Sequence, residues 1–371
     1  MLWWLLGLAA LAAALAPWLA LDEMRWALLL TYPPRLLLAG AALLGALVAA
    51  WVLRQRAGAL LWGLAALLAV GQLNAPWPWR AQQPLAQLDD AARPRLEILS
   101  FNTAHLPGAV QGFAQWLARS PAGPWPDVLL LQEVDPSERP ALTRYLGDRY
   151  EFVVADTRAR FAHDNWGPFS NLIALRRDRA FQVLARYPAI TEYRSFAVTL
   201  SGPGLPVFHL VNVHTTKVFW SHDGLRGALV KADMKSAWHV RERTQLAAWL
   251  APRMGEPVIV SGDFNAPAAS QGVRLQGFVS AQQVAGTGLG LSWHARLPLW
   301  DIDHTLGNAA VRFLDYRLLD TPFSDHRAQR FSVSLPPPAP THQAVYPAHS
   351  LFTQGDKHGR PVRQPHGPVR L

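Results

Sequence analysis

The chain has 371 residues, half of them hydrophobic, no cysteine, and a formal net charge of +9 from 35 Lys and Arg against 26 Asp and Glu. The absence of thiols excludes disulfide frameworks, thiolate zinc sites and a cysteine nucleophile, while leaving either redox compartment open. The basic balance suits anionic lipid or phosphate-bearing substrates, and the length holds one large domain with additions.

The apolar excess is N-terminal. No charged residue occurs between Leu2 and Leu21, between Leu36 and Leu53, or between Arg56 and Arg80. Each stretch reaches or approaches the roughly 18–20 residues that cross about 30 Å of hydrocarbon. The sequence therefore predicts three transmembrane helices, over 2–21, 36–53 and 57–73. The first lacks the basic leader of a cleaved signal peptide and two more apolar stretches follow it. Trp3, Trp4, Trp18, Trp51, Trp77 and Trp79 fall near the ends, where indoles favour the headgroup zone. Arg54 and Arg56 in the short second loop place that loop in the cytoplasm and everything after the third helix outside it, although Arg25, Arg35, Arg80, Arg93 and Arg95 pull the other way.

Residues 74–94 are rich in Pro and polar groups and read as a linker, and 335–371 read as a Pro-rich disordered tail. Residues 95–334 then form one domain. Apolar β-type runs occupy 96–101, 127–132, 150–155, 171–176, 196–200, 207–213, 257–262, 313–319 and 328–335. Helical periodicity is clearest over 109–120 and 236–253, and no internal repeat is visible. Strands interleaved with a few helices predict a layered α/β or α+β domain with mixed sheets.

The polar residues of this domain gather where strands stop. The runs end at Asn102, at Gln132 and Glu133, at Asn212 and His214, and at Asp263 and Asn265. "DIDH" adds Asp303 and His304, and "FSDH" adds Asp325 and His326. Each alone is an ordinary turn residue. Together they form the set from which active sites at sheet edges are assembled. Alternation along an extended strand turns Asp263 and Asn265 to one side. Asn212, between two valines, reads equally well as a buried group bonded to backbone, and His304 as packing. The mixed charges from Lys217 to Arg243 read as a solvated loop and helix, with a basic collar meeting lipid or nucleic acid as the alternative.

In chain order, "SFNT" (100–103), "LLLQEVD" (129–135), "SNLIALRR" (170–177), "VNVHTT" (211–216), "SGDFNAP" (261–267), "IDHTL" (302–306) and "SDHRAQ" (324–329) resemble the signatures of the endonuclease/exonuclease/phosphatase superfamily, across 96–334. Ala104 and Ala328 stand where that family often has a second polar residue and a proline. The resemblance implies a deoxyribonuclease I-like, four-layered α/β sandwich, two mixed β-sheets face to face and flanked by helices, in a bacterial inner-membrane protein. It implies that Asp263 orients or deprotonates the attacking water, with Asn265 fixing its partner oxygen, and that Asn171 contacts phosphate.

Ester cleavage at phosphorus needs charge neutralisation, an oriented water and a proton for the leaving oxygen. Glu133 with Asn102 beside it, completed by Asp325, suits Mg²⁺ or Mn²⁺, which need only one or two carboxylates. Asp303 would fix the tautomer of His326 and raise its basicity, and His214 is the second imidazole, for a phosphoryl oxygen or the leaving group. The expected activity is Mg²⁺-dependent hydrolysis of a phosphodiester or phosphomonoester, on a lipid, nucleotide or nucleic acid, with the bilayer as partner and no obligate protein partner. The rival readings are a nuclease held at the membrane and an inactive scaffold that keeps the fold. Against the scaffold, Glu133, Asp263, Asn265, Asp303, Asp325 and His326 are all present.

Overall fold

The computed structural model describes residues 2–19, 31–77, 93–104, 108–119, 125–155, 170–191, 193–217 and 224–338. Most of the expected linker and almost all of the expected C-terminal tail lie outside the described residues.

Twelve strands form two six-stranded sheets. The first runs β11(Arg312–Leu319), β12(Ala328–Ser334), β1(Arg95–Asn102), β2(Val128–Val134), β4(Ser170–Arg176), β3(Tyr150–Ala155). The second runs β5(Gln182–Tyr187), β6(Phe196–Gly202), β7(Leu205–His214), β8(Val258–Asp263), β10(Asp303–Asn308), β9(Phe278–Ser280). In each sheet the two central strands are parallel and every other pairing is antiparallel. The strand order of one sheet repeats in the other, β1 and β2 corresponding to β7 and β8. This duplication has no sequence repeat behind it, because a buried parallel strand asks only for apolar residues.

Parallel neighbours need a crossover, and helices supply both. Helix α4(Ala109–Arg119) joins β1 to β2, and α6(Gly224–Leu250) joins β7 to β8. The strands alternate between two apolar environments. Leu96, Ile98, Val128, Leu130, Phe208, Leu210 and Ile259 meet between the sheets. Leu99, Phe101, Leu129 and Leu131 point the other way, onto Val110, Phe113 and Leu117 of α4 and Leu142 and Leu146 of α5(Arg139–Leu146). Val211, Val213, Val258 and Val260 cover Leu246 and Leu250 of α6. The result is helix, sheet, sheet, helix: a four-layered sandwich.

Three apolar helices precede it, α1(Leu2–Leu15), α2(Arg35–Trp51) and α3(Arg56–Val70), of 14, 17 and 15 residues. They correspond to the expected transmembrane stretches but are shorter, and no helix among the described residues is long and apolar enough to cross a membrane. Pro17 lacks the N–H that would extend α1, Pro34 sits at the start of α2, and Gly71 ends α3. Arg35, expected between spans, is instead buried in α2, where it donates to the carbonyls of Ala13 and Thr31. The bundle touches the sandwich: Trp300 Nε1 donates to the Tyr32 carbonyl at 3.1 Å, and Tyr32 packs against the β7–β8 face.

Candidate active site

The topology decides where the polar strand ends go. Strands β1, β2, β7 and β8 run the same way within their pairs, and β4, β10 and β12 run against them. Asn102, Glu133, His214 and Asp263 close the parallel strands, while Asn171, Asp303 and the turn carrying Asp325 and His326 open the antiparallel ones. All eight belong to one edge.

Local backbone geometry aims them. The β2–β4 register shifts between Leu131 and Val134, and Glu133 adopts φ 53°, so a bulge lifts its carboxylate out of the ladder. Gly262 precedes Asp263 at φ 148°, and a Cβ there would stand 2.0 Å from the Val213 carbonyl oxygen. Only glycine lets β8 approach β7 this closely. Asp263 and Asn265 are not turned together by strand alternation, because β8 ends at Asp263 and Asn265 has φ 47°. The Asn265 N–H donates to Asp263 Oδ1 at 2.7 Å, and its carboxamide donates to the Thr215 carbonyl at 2.8 Å. An Asx-type turn brings the two residues together.

Asp263 is the buried centre. Its Oδ2 accepts from Asn102 Nδ2 at 2.9 Å and lies 4.0 Å from His214 Nε2 and 3.9 Å from His326 Nε2. His326 Nδ1 pairs with Asp303 Oδ2 at 2.9 Å, and its Nε2 is 3.8 Å from Asp325 Oδ1. On the other side Glu133 Oε1 lies 3.1 Å from both His214 Nε2 and Lys217 Nζ. Asn171 is buried and donates to the Arg194 carbonyl, leaving its Oδ1 unbonded.

Burial sorts these groups by charge. It works against the Glu133 carboxylate, but Lys217 and His214 overcome it and hold Glu133 well below the usual carboxylate range. Burial, then the Asp303 charge, pushes Asp263 up to about 7, against the pull of His326 and Lys217. Burial would lower His326, yet Asp303 outweighs it and carries the imidazole up to about 10. His214 is pushed down to about 4, chiefly by burial and despite Glu133. At neutral pH the site holds an ionised Glu133, a cationic His326, a neutral His214 and an Asp263 near its midpoint.

This donor set fits a divalent cation. Glu133, His214 and Asp263 bring one ligand atom each within 4.8 Å of one another, as do Asp263, Asp303 and His326. Oxygen donors on ionised carboxylates suit hard cations, and Asp325 Oδ1 is buried without a hydrogen-bond partner. These His and carboxylate clusters do not include the expected Asn102 and Asp325. Asn102 is bonded to Asp263, its Oδ1 accepting from the Ala104 N–H at 2.8 Å, and Asp325 belongs to the His326 side of the centre.

Several contributors lie in loops, where no periodicity marks them. Lys217, read from sequence as part of a solvated run, is paired with Glu133. Tyr193 meets the His214 ring edge-on at 5.4 Å and carries the Arg194 guanidinium 4.8 Å over its own ring. Trp293 Nε1 donates to Asp325 Oδ2 at 2.9 Å. Their only sequence signal is an aromatic or basic residue a few positions from a site residue. Asn212 is structural: from β7 it donates to the Leu131 and Leu172 carbonyls of the opposite sheet at 3.0 Å and accepts from Gln132 at 2.8 Å. His304 bonds the Ala266 carbonyl at 2.9 Å and packs edge-on to Phe264.

The model of the endonuclease/exonuclease/phosphatase family matches residues 99–326, more than half of the chain and all of this site. The chain belongs to that family. It is therefore an enzyme of the class that hydrolyses phosphoesters with a divalent metal. Solved structures similar to it include the endonuclease/exonuclease/phosphatase from Bacteroides vulgatus, at 17% identity over 66% of this chain and 100% of that one, with a TM-score of 0.48. A mannosyl-6-phosphatase from Bacteroides thetaiotaomicron matches at 14% identity, 64% and 99% coverage and a TM-score of 0.45. The human Nocturnin catalytic domain matches at 18% identity, 66% and 94% coverage and a TM-score of 0.45. No curated protein gives a significant match.

Proposed function

We propose that this enzyme is a membrane-anchored, Mg²⁺-activated phosphoesterase whose water is handled by Asp263 and whose leaving oxygen is protonated from His326. The carrying observation is the convergence on Asp263 Oδ2, bonded to Asn102 at 2.9 Å and flanked by His326 Nε2 at 3.9 Å and His214 Nε2 at 4.0 Å. Glu133, with the oxygens of Asn102 and Asp325, would hold Mg²⁺, which when bound neutralises phosphoryl oxygens and polarises the ester.

The chain's own groups account for the protons. Asp263, near its midpoint at neutral pH, is matched to accept one from water as the new P–O bond forms. His326, cationic through Asp303, gives its Nε2 proton to the oxygen that departs with the electrons of the broken P–O bond. Asn102 steadies Asp263, and neutral His214, its Nε2 3.1 Å from Glu133 Oε1, does not compete for the proton.

The anchor reading rests on the way the three helices pack. Apart from Arg35 and Trp62, the buried residues of α2 and α3 are alanine and glycine, while Leu43, Leu44, Leu47, Leu60 and Leu67 face outward, as in helix pairs that associate inside lipid. Arg54 lies in the α2–α3 turn and Arg56 opens α3, and the contact of Tyr32 with Trp300 is at the opposite end of α2. Under the positive-inside rule this favours a sandwich outside the cytoplasm.

A chromogenic phosphodiester assay on the full-length chain tests the chemistry. Activity should vanish in EDTA, return with Mg²⁺ or Mn²⁺, and fall by about 10⁴-fold in Asp263→Ala, the scale seen when a central catalytic group is removed. Turnover that ignores EDTA would sink the proposal.

A further inference from the structure

The segment between β9 and β10 serves no step assigned above, yet it touches the site and the N-terminal helices at once. At the site end, Trp293 Nε1 donates to Asp325 Oδ2 at 2.9 Å and the Ala295 N–H donates to the Asp325 carbonyl at 2.7 Å. The Arg327 N–H donates to the Ser292 carbonyl at 2.9 Å, and Ser292 Oγ accepts from the N–H groups of Ile302 and Asp303 at 3.2 and 3.1 Å. The same few residues thus fix both the Asp325 carboxylate and the start of β10, where Asp303 holds His326.

At the other end, Trp300 donates to the Tyr32 carbonyl, and Gly290 packs so closely that a Cβ would meet Asn74 at 3.0 Å. Between the two ends the Trp293 and Trp300 rings meet at 5.3 Å and 62°, and Trp293 bridges by backbone to both Trp300 and His326. The indole N–H of Trp293 reaches the site and that of Trp300 reaches the helices, with ring against ring between.

We infer that Trp293 is a positioning residue for Asp325, and that Trp300, by tying this segment to Tyr32, makes the docked helical bundle part of what keeps the active site in order. The inference rests on the reading of Asp325 as part of the cation-binding centre. A carboxylate with one oxygen bonded by an indole and the other unbonded is presented in a single orientation. Outer partners of this kind are worth about 10–100-fold in metal affinity or activity.

The test uses the full-length chain with Trp293→Phe, Trp300→Phe, the double variant and Asp325→Asn. Phenylalanine keeps the ring contact and removes only the N–H. Trp293→Phe should raise the Mn²⁺ dissociation constant, measured by calorimetry, by about 10-fold and lower kcat with little change in substrate KM. Trp300→Phe should move the same constants the same way by less, and the double variant should match Trp293→Phe, because the two act in series. Without substrate, Trp300→Phe should also speed hydrogen exchange at the Ala295 and Arg327 amides. A Trp300→Phe enzyme with wild-type Mn²⁺ affinity and wild-type exchange at both amides would overturn the link to the helices. Wild-type Mn²⁺ affinity in Trp293→Phe would overturn the positioning role. If Asp325→Asn itself binds Mn²⁺ and turns over normally, the reading of Asp325 fails and the inference with it. An inactive Asp325→Asn beside normal tryptophan variants overturns the inference alone.

Discussion

The N-terminal bundle and the sandwich bury opposite kinds of residue. The sandwich closes its layers with Leu, Ile, Val, Phe and Tyr, among them the fully buried Phe101, Phe113, Phe208, Tyr150 and Tyr316. The bundle closes on Ala14, Ala39, Ala42, Ala49, Ala65 and Ala69 and turns its leucines out. Water drives the first pattern, since each large side chain buried gains about 1.5–3 kcal/mol. The second buries few large side chains, so it gains less from water and is held by close backbone approach and van der Waals contact. Trp62 shows how close that approach is, its ring lying 2.5 Å from where a Cβ on Gly45 would stand.

Two glycines break the comparison most directly. Gly262→Ala drives a methyl into the β7 backbone, where only strand separation makes room. It is expected to cost the sandwich about 3 kcal/mol or more, seen as a large fall in the melting temperature and in soluble protein. Gly45→Ala meets a side chain instead, and the Trp62 ring can shift within the bundle. Thermal unfolding of the sandwich should be unchanged by it, and a fall as large as that of Gly262→Ala would mean the two regions unfold as one.

Leu44 sharpens the difference. It is 62% exposed near the middle of α2, a position where arginine costs almost nothing if water surrounds the bundle. If hydrocarbon surrounds it, Leu44→Arg costs about 2.5–3.5 kcal/mol, and the protein should shift from the membrane fraction toward the soluble one. Unaltered fractionation would count against the anchor.

How much of this could be read from sequence differs between the same two regions. The sandwich was legible wherever strands are buried on both faces, as in β2, whose every residue is buried. It was not legible at β5, an edge strand that alternates exposed and half-buried residues, nor at β10, whose "DHTLGN" is polar because it carries the site and pairs Asp303 against Asp263. Helix α6 begins at Gly224, twelve residues before the expected start at 236, since the two glycines in its first turns mask the helical period. For the site, strand ends advertised Glu133, His214 and Asp263, while Lys217, Tyr193, Arg194 and Trp293 reach it from loops. In the bundle, apolar runs located the helices but not their ends, which Pro17 and Gly71 set inside the uncharged stretches.

The smallest expected effect is in the response to pH, and it too separates the regions. Among the described residues α1 to α3 contain no acid and no histidine, so proton-linked changes belong to the sandwich. Activity should rise as Asp263 loses its proton through about 7 and fall as His326 loses its own through about 10, giving a bell in kcat/KM. Stability has a definite sign as well. The folded protein holds the His326 proton more tightly than the unfolded chain does, at about 10 against 6.5, so that contribution is complete below about 6.5 and lost as pH rises through about 10. Asp263, raised from 3.8 to about 7, also favours the protonated folded state, and its contribution fades between those two values. Below about 6.5 the lowered His214 and His304, at about 4, act the other way, so the decline belongs to the alkaline side, and melting temperatures recorded in EDTA between pH 7 and pH 10 should fall. His326→Gln should flatten the upper part of that decline and remove the alkaline limb of the activity profile together, because one proton governs both.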